Sequence, residues 1–173
     1  MISWRTRRAT ERLEPTVSER WLGIADQLSD NERPLDAIGA WLVSPDHREL
    51  SIVLLSHLAL HVRSMEAAGT FPTRSPYAIP FADSLALAMT DDGSLIIHGM
   101  SRPSELFGST VLDLAPDGWG FACRLRKAWE AQTGHRATGQ WQERSWTRRE
   151  RRRWAKAWSG YRQGADDSPS RRS

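Results

Sequence analysis

A chain of 173 residues is long enough for one domain with a genuine core, because folded chains of this size bury roughly 70% of their extended-chain surface. With 39% hydrophobic and 26% charged residues it falls among globular sequences, which excludes the fibrous and wholly disordered classes, and its single cysteine, Cys123, excludes an intramolecular disulfide or a cysteine-based zinc framework. The formal net charge of +3 hides a segregation: four arginines and one glutamate give residues 1–13 a charge of +3, ten basic and four acidic side chains give residues 141–173 +6, and residues 14–140 are left with −6. Basic ends around an acidic middle predict either a polyanion at the ends or ends that dock onto the middle.

In chain order, residues 1–16 read as a basic arm carrying Arg5, Arg7 and Arg8. No apolar stretch of the kind a secretory signal needs accompanies these arginines. The longest apolar region, Leu50 to Val62, is interrupted by Ser51, Ser56, His57 and His61 and is too short to span a bilayer. Together with the lone cysteine, these features predict a cytoplasmic protein with no membrane span. A core domain over residues 17–134 opens on a helix, with Val17, Trp21, Ile24 and Leu28 on one face and Ser18 as N-cap. Asn31 to Arg33 form a turn, and Pro34 followed by Leu35, Ile38, Trp41 and Leu42 predicts a second short helix.

Residues 47–69 admit two readings. One is a long buried helix with Leu50, Leu54, Leu58, Val62 and Met65 on one side, Ile52, Leu55 and Ala59 on another, and Gly69 at its end. The other pairs Ala40–Ser44 with Glu49–Leu55 as a hairpin around Ser44 to His47, leaving only Ser56–Ala68 helical. Short apolar runs do not decide between strand and buried helix by periodicity alone. Gly69 to Asp83, with Pro72, Pro76 and Pro80, reads as an irregular, proline-pinned loop.

Strand signals follow. Leu85, Leu87 and Met89 alternate with small residues, Asp91, Asp92 and Gly93 supply a turn, and Leu95 to Met100 returns, which predicts a hairpin. Thr110 to Leu114 is a third strand, and Pro116 to Gly118 end the sheet. A helix over Trp119–Thr133 sets Phe121, Leu125, Ala128 and Trp129 on one face and stops at Gly134; Gly139 lies in a flexible joint. The fold class read from these elements is α+β: an antiparallel β-meander of three strands, or five if residues 40–55 are a hairpin, covered by helices, with a basic helix appended. In the five-strand form the order α-β-β-α-β-β-β-α resembles the profilin-like layout of roadblock modules. That resemblance implies a dimerising scaffold and favours the alternative reading, a protein-interaction adaptor, as a homodimer or complex subunit, whose basic helix contacts an acidic protein surface.

A basic segment over residues 135–163, read as an amphipathic tryptophan- and arginine-bearing helix from about Trp141 to Tyr161 packed on the core, precedes a polar tail, 164–173, expected to be disordered. On a helical wheel at 100° per residue, Trp146, Trp154, Ala157, Trp158 and Tyr161 fall in an arc of about 120°. Arg148, Arg152 and Lys156 make an i, i+4, i+8 row on the other side, flanked by Arg149 and Arg153, with Arg144 and Arg151 adding charge. Thr147 and Glu150 have the spacing of a capping box, and Gly160 is placed to stop the helix. Like charges at i, i+4 cost a few tenths of a kcal/mol per pair, whereas one buried large side chain contributes about 1.5–3 kcal/mol. Trp154 and Trp158 are therefore expected to pack on the domain with the arginines turned outward. Guanidinium forks suit phosphate oxygens, so the segment predicts a non-enzymatic nucleic-acid-binding or accessory protein that contacts the phosphate backbone, a kind of contact that carries no information about base sequence.

Other chemistry is thinner. His57 and His61 at i, i+4 would share a helix face, and with His98 as a third ligand they define the metal-dependent enzyme alternative; the intervening residues lack the glutamate of the zinc-protease pattern. No cofactor or metal is expected, because histidines on an apolar face are usually core residues with satisfied hydrogen bonds. Asp91 and Asp92 belong to their turn, no glycine-rich run ends in lysine and serine or threonine, and Cys123 is read as structural.

Overall fold

The computed structural model describes residues 28–64, 77–102 and 106–166, and the side chains of its last helix as far as Trp158. Eight strands are present among them: β1 (Pro34–Val43), β2 (Arg48–Ser56), β3 (Ala59–Ser64), β4 (Tyr77–Pro80), β5 (Ser84–Met89), β6 (Leu95–Ser101), β7 (Leu106–Leu114) and β8 (Thr138–Gly139). They build one sheet in the order β4-β3-β2-β1-β7-β6-β5-β8. All neighbours are antiparallel except β5 and β8, which run parallel. The two helices are α1 (Trp119–Thr133) and α2 (Arg148–Asp166).

The sheet curls back on itself. The amide of Ala78 in β4 donates to the carbonyl of Arg102, just past β6, at 2.6 Å, and the amide of Arg102 returns the bond at 2.7 Å. Strand β4 thus finds a partner on its free side, as in a barrel, where closure removes exposed edges. Inside lie Ile38, Ala40, Leu42, Val53, Leu55, Leu60 and Val62 from one half and Leu87, Met89, Leu95, Ile97, Leu112 and Leu114 from the other. Helix α1 completes this core with Phe121, Ala122, Leu125 and Trp129. The fully buried Trp129 indole donates to Ser84 Oγ at 2.9 Å, and that hydroxyl donates to the His98 carbonyl at 3.0 Å, so the polar edge of the ring is satisfied within the core. On its exposed side α1 is tied by Arg124 Nη1 to the buried Asp36 Oδ2 at 2.7 Å.

Several sequence expectations need correction. The architecture is an eight-stranded mixed sheet with two helices among the described residues, not a meander of three or five strands under a helical cover, although it remains α+β in the broad sense. Pro34 to Val43 is a strand, and Leu35, Ile38, Trp41 and Leu42 do not share a face. Ile38, Ala40 and Leu42 point into the barrel, while Ala37 and Trp41 join Leu50, Ile52 and Leu54 in a second cluster on the outside. The long helix over residues 47–69 is absent from the described part. The hairpin alternative pairs Trp41 with Leu50 and Val43 with Arg48, but the helix it assigned to Ser56–Ala68 is β3 over residues 59–64.

The proline-rich loop also contains structure: β4 pairs with β3, Pro80 opposite Ala59, before a single 3-10 turn over Phe81–Asp83. No helix separates β2 from β5 among the described residues, so the roadblock-like order is lost. Gly139 is no flexible joint. It holds φ +85° beside Met89 in the parallel pair, where an added Cβ would run into the Met89 carbonyl. The β5–β6 hairpin, the strand containing Thr110–Leu114 and the helix closed by Gly134 at φ 71° do form. The helix expected over residues 17–28, the basic arm and residues 167–173 lie outside the described residues, apart from Leu28.

Candidate polyanion-binding helix

The helix expected from about Trp141 begins instead at Arg148, directly after the Thr147 of its capping box, and α2 runs on through Gly160, where it was expected to stop, to Asp166. Its start is fixed by a reciprocal cap. The Thr147 amide donates to Glu150 Oε2 at 2.8 Å and the Glu150 amide donates to Thr147 Oγ1 at 3.2 Å. The backbone bond from Thr147, followed by the Thr147 hydroxyl and Arg144, holds the Glu150 carboxyl below its ordinary range. Arg144 then ties this cap to the sheet, with Nη2 on Glu150 Oε1 at 3.0 Å, Nη1 on Asp113 Oδ1 of β7 at 3.4 Å, and its guanidinium 4.1 Å from the Trp146 ring centroid. Asp113 also accepts from Arg48, whose guanidinium lies over Trp41 at 5.8 Å.

The aromatic side of α2 rests on the outer face of β1 and β2. Trp154 and Trp158 stack with centroids 6.2 Å apart and pack against Ala37, Leu50, Ile52 and Leu54, while Trp41 meets Trp154 edge-on at 5.9 Å. Gly39 makes room for both rings: a Cβ there would sit 2.7 Å from Trp158 Cζ3 and 3.3 Å from Trp154 Cζ2. The helix is therefore seated on a bare patch of strand backbone, outside the barrel core.

The cations divide into two sets. Arg148, Arg149, Arg152, Arg153 and Lys156 are all exposed, and among the described residues none of them is held in an ion pair. The row from Arg148 to Lys156 spans about 12 Å along the axis, at about 1.5 Å per residue. Arg144 is half-buried and spent on Asp113, Glu150 and Trp146, which makes it a positioning residue of the helix start. Arg151 reaches Asp117 at only 3.9 Å across exposed surface, a contact worth little. Arg5, Arg7 and Arg8 lie outside the described residues.

The three histidines are kept apart. His57 sits in the β2–β3 turn and accepts the Arg33 amide at its Nδ1, 3.0 Å; His61 is on β3, 2.8 Å from Glu32 Oε1; His98 is on β6, 3.1 Å from Ser109 Oγ. Because residues 59–64 are extended, the helical i, i+4 face assumed for His57 and His61 does not exist, and no cluster able to hold a metal occurs among the described residues. Cys123 is exposed on α1 rather than built into the core. Sequence reasoning missed Glu32. Its carboxylate collects His61 Nε2, Ser56 Oγ at 2.8 Å and the Ser29 amide at 3.1 Å, residues up to 29 positions away, so no local signal marks it. Burial alone would raise the Glu32 carboxyl, but the hydrogen bond and charge of His61, with Ser56 and Ser29, outweigh it and bring it from 4.5 to about 2.

No protein-family model matches the chain, and no curated protein matches it. Among solved structures it is similar to the hSac2 domain from the human phosphoinositide phosphatase Sac2, with a TM-score of 0.51 and 12% identity over 79% of this chain and 96% of that one. The C-terminal domain of an unknown protein from Leishmania infantum aligns with a TM-score of 0.45 and 12% identity, over 68% of this chain and 98% of that one. At 12% identity the first likeness concerns the fold alone. No helix among the described residues is long and apolar enough to cross a membrane.

Proposed function

We propose that this is a non-enzymatic, cytoplasmic nucleic-acid-binding or accessory protein that grips the phosphate backbone with the outward side of α2. One observation carries the reading: Arg148, Arg149, Arg152, Arg153 and Lys156 stand exposed on a helix whose opposite side is anchored by Trp154 and Trp158. A polyanion would relieve the repulsion among the five cations while the anchor keeps their spacing rigid. Guanidinium groups favour phosphate oxygens, and contacts of that kind position a protein on the backbone without specifying bases.

The experiment is a salt titration of affinity for duplex and single-stranded DNA and RNA. Neutralising five phosphates predicts a log–log slope of about −4.5 on duplex DNA, or about a 500-fold loss between 50 and 200 mM salt. Replacing Arg148, Arg152 and Lys156 by alanine should flatten that slope by two to three units. A slope near zero, or an unchanged slope in the triple variant, refutes the reading. Capture of an acidic protein that survives nuclease treatment would refute it in favour of an adaptor.

A further inference from the structure

The described surface holds a second feature, remote in kind from the arginine row: a groove of about 440 Å³ beside β3 and β4, within the range of small-molecule sites. Its walls are mainly apolar, with Leu28, Leu54, Leu58, Ala78 and Pro80 contributing. Ser29, Asn31 and Tyr77 add neutral polar groups, and Glu32, His61 and Arg102 are the ionisable side chains of acid or base type that carry its charge. What each has left to offer decides the ligand.

Glu32 has little left to offer, since three donors already occupy its carboxylate, which has about four lone-pair sites. Its carboxylate, ionised throughout the neutral range, already accepts from Ser56, Ser29 and His61. An ionised carboxylate is an acceptor only, so the proton between it and His61 resides on Nε2. Arg102 is the opposite case. Its backbone is locked in both directions to Ala78, which fixes its position at the rim, and among the described residues only Nη2 of its side chain is engaged, on Asp83 Oδ2 at 2.8 Å. With the side chain 58% exposed, the rest of the guanidinium fork remains available. The groove thus combines an apolar floor, an acid already held by three donors of this chain, and a fixed cationic donor at its edge.

We propose that this groove binds a small amphiphilic carboxylate of medium chain length, its hydrocarbon body along the half-buried Leu28, Leu58 and Ala78, above the buried Leu54, and its carboxylate on Arg102. The inference is independent of the polyanion reading, since it uses no residue of α2.

The test uses octanoate, hexanoate and octan-1-ol, titrated into 15N-labelled full-length protein while amide shifts are followed. Octanoate is expected to bind saturably, shifting the amides of Leu54, Leu58 and Ala78. It should bind roughly tenfold more tightly than hexanoate, as two further methylenes leave water. Arg102→Ala should weaken octanoate roughly tenfold and leave octan-1-ol unchanged, whereas Asp83→Asn, which frees the guanidinium, should tighten octanoate. Ala78→Phe should abolish both by filling the groove; the two surface variants decide the matter if that one does not fold. Shifts confined to other regions, no chain-length dependence, or equal octanoate affinity in Arg102→Ala would overturn the proposal.

Discussion

Gly39→Ala is the substitution whose sign depends most directly on how α2 is held. On an uncovered sheet, replacing a strand glycine by alanine stabilises by about 0.4–1 kcal/mol, because the unfolded chain loses conformational freedom. Here the new methyl would sit 2.7 and 2.8 Å from two carbons of the Trp158 ring and 3.3 Å from Trp154. Ordinary contact begins near 3.5 Å, so Trp158 must retreat by close to an ångström. The stacked Trp154 blocks lateral escape, so the ring can retreat only by lifting the helix. Overpacking of this kind costs about 1–3 kcal/mol, which outweighs the glycine effect and predicts net destabilisation. For a chain of this size the fall in Tm is about 2–4 °C per kcal/mol. Urea unfolding followed by circular dichroism and tryptophan fluorescence should show it. The decisive arm is the double-mutant cycle with Trp158→Ala, in which Gly39→Ala should become neutral or stabilising. If Gly39→Ala has the same effect in both backgrounds, or stabilises the wild-type protein, Trp158 is not seated on Gly39.

Two further perturbations probe the rest of the frame. The folded-state Glu32 carboxyl lies at about 2 against an ordinary 4.5, so its contribution is fully present above pH 4.5 and is lost as pH falls towards 2. The gap corresponds to at most about 3 kcal/mol, and since the pair is only partly shielded from water about 1–2 kcal/mol is expected. Stability measured from pH 6 to 2 should therefore fall more steeply for wild type than for Glu32→Gln, and parallel curves would contradict the cluster geometry. Gly139→Ala should destabilise by at least about 1–2 kcal/mol, because alanine disfavours φ +85° and its methyl would run into the Met89 carbonyl. Hydrogen exchange at residues 138–140 should accelerate in that variant, and unchanged protection would show that the parallel β5–β8 pair is not held there.

Which elements were legible in the sequence follows from which faces they bury. From Ala86 onward β5 and β6 keep Leu87, Met89, Leu95 and Ile97 inside and Ala86, Ala88 and His98 on the other side, so the hairpin can be read. A bulge between Ser84 and Ala86, however, turns Leu85, expected beside Leu87, out to solvent and buries Ser84. The helix α1 buries one stripe, Phe121, Leu125 and Trp129, and shows a period near 3.6. Strands β1 and β2 bury both faces. Ile38, Ala40 and Leu42 look into the barrel while Ala37, Gly39 and Trp41 lie under α2, and in β2 every residue from Glu49 to Ser56 is buried. With alternation erased, an apolar run is compatible with a buried helix, and its length does not separate the two.

The candidate site shows the same dependence on partners remote in sequence. The arginine row was legible because it faces water, and a solvated face needs no partner to be recognised. The groove was not, since Glu32, His61 and Arg102 come from three separate segments that meet only after β3 pairs with β4 and β4 bridges to Arg102. The misreading of β1 and the reading of α2 have one cause. A helix with five exposed cations can be held to the domain only by its aromatic side, and that side requires an apolar outer sheet face with a gap at Gly39. Supplying that face removes the polar alternation that would have identified β1 and β2 as strands. The helix proposed to bind a polyanion thus obscures the strands that carry it, and that proposal predicts that substitutions on the outer face of β1 alter polyanion affinity without touching a single arginine.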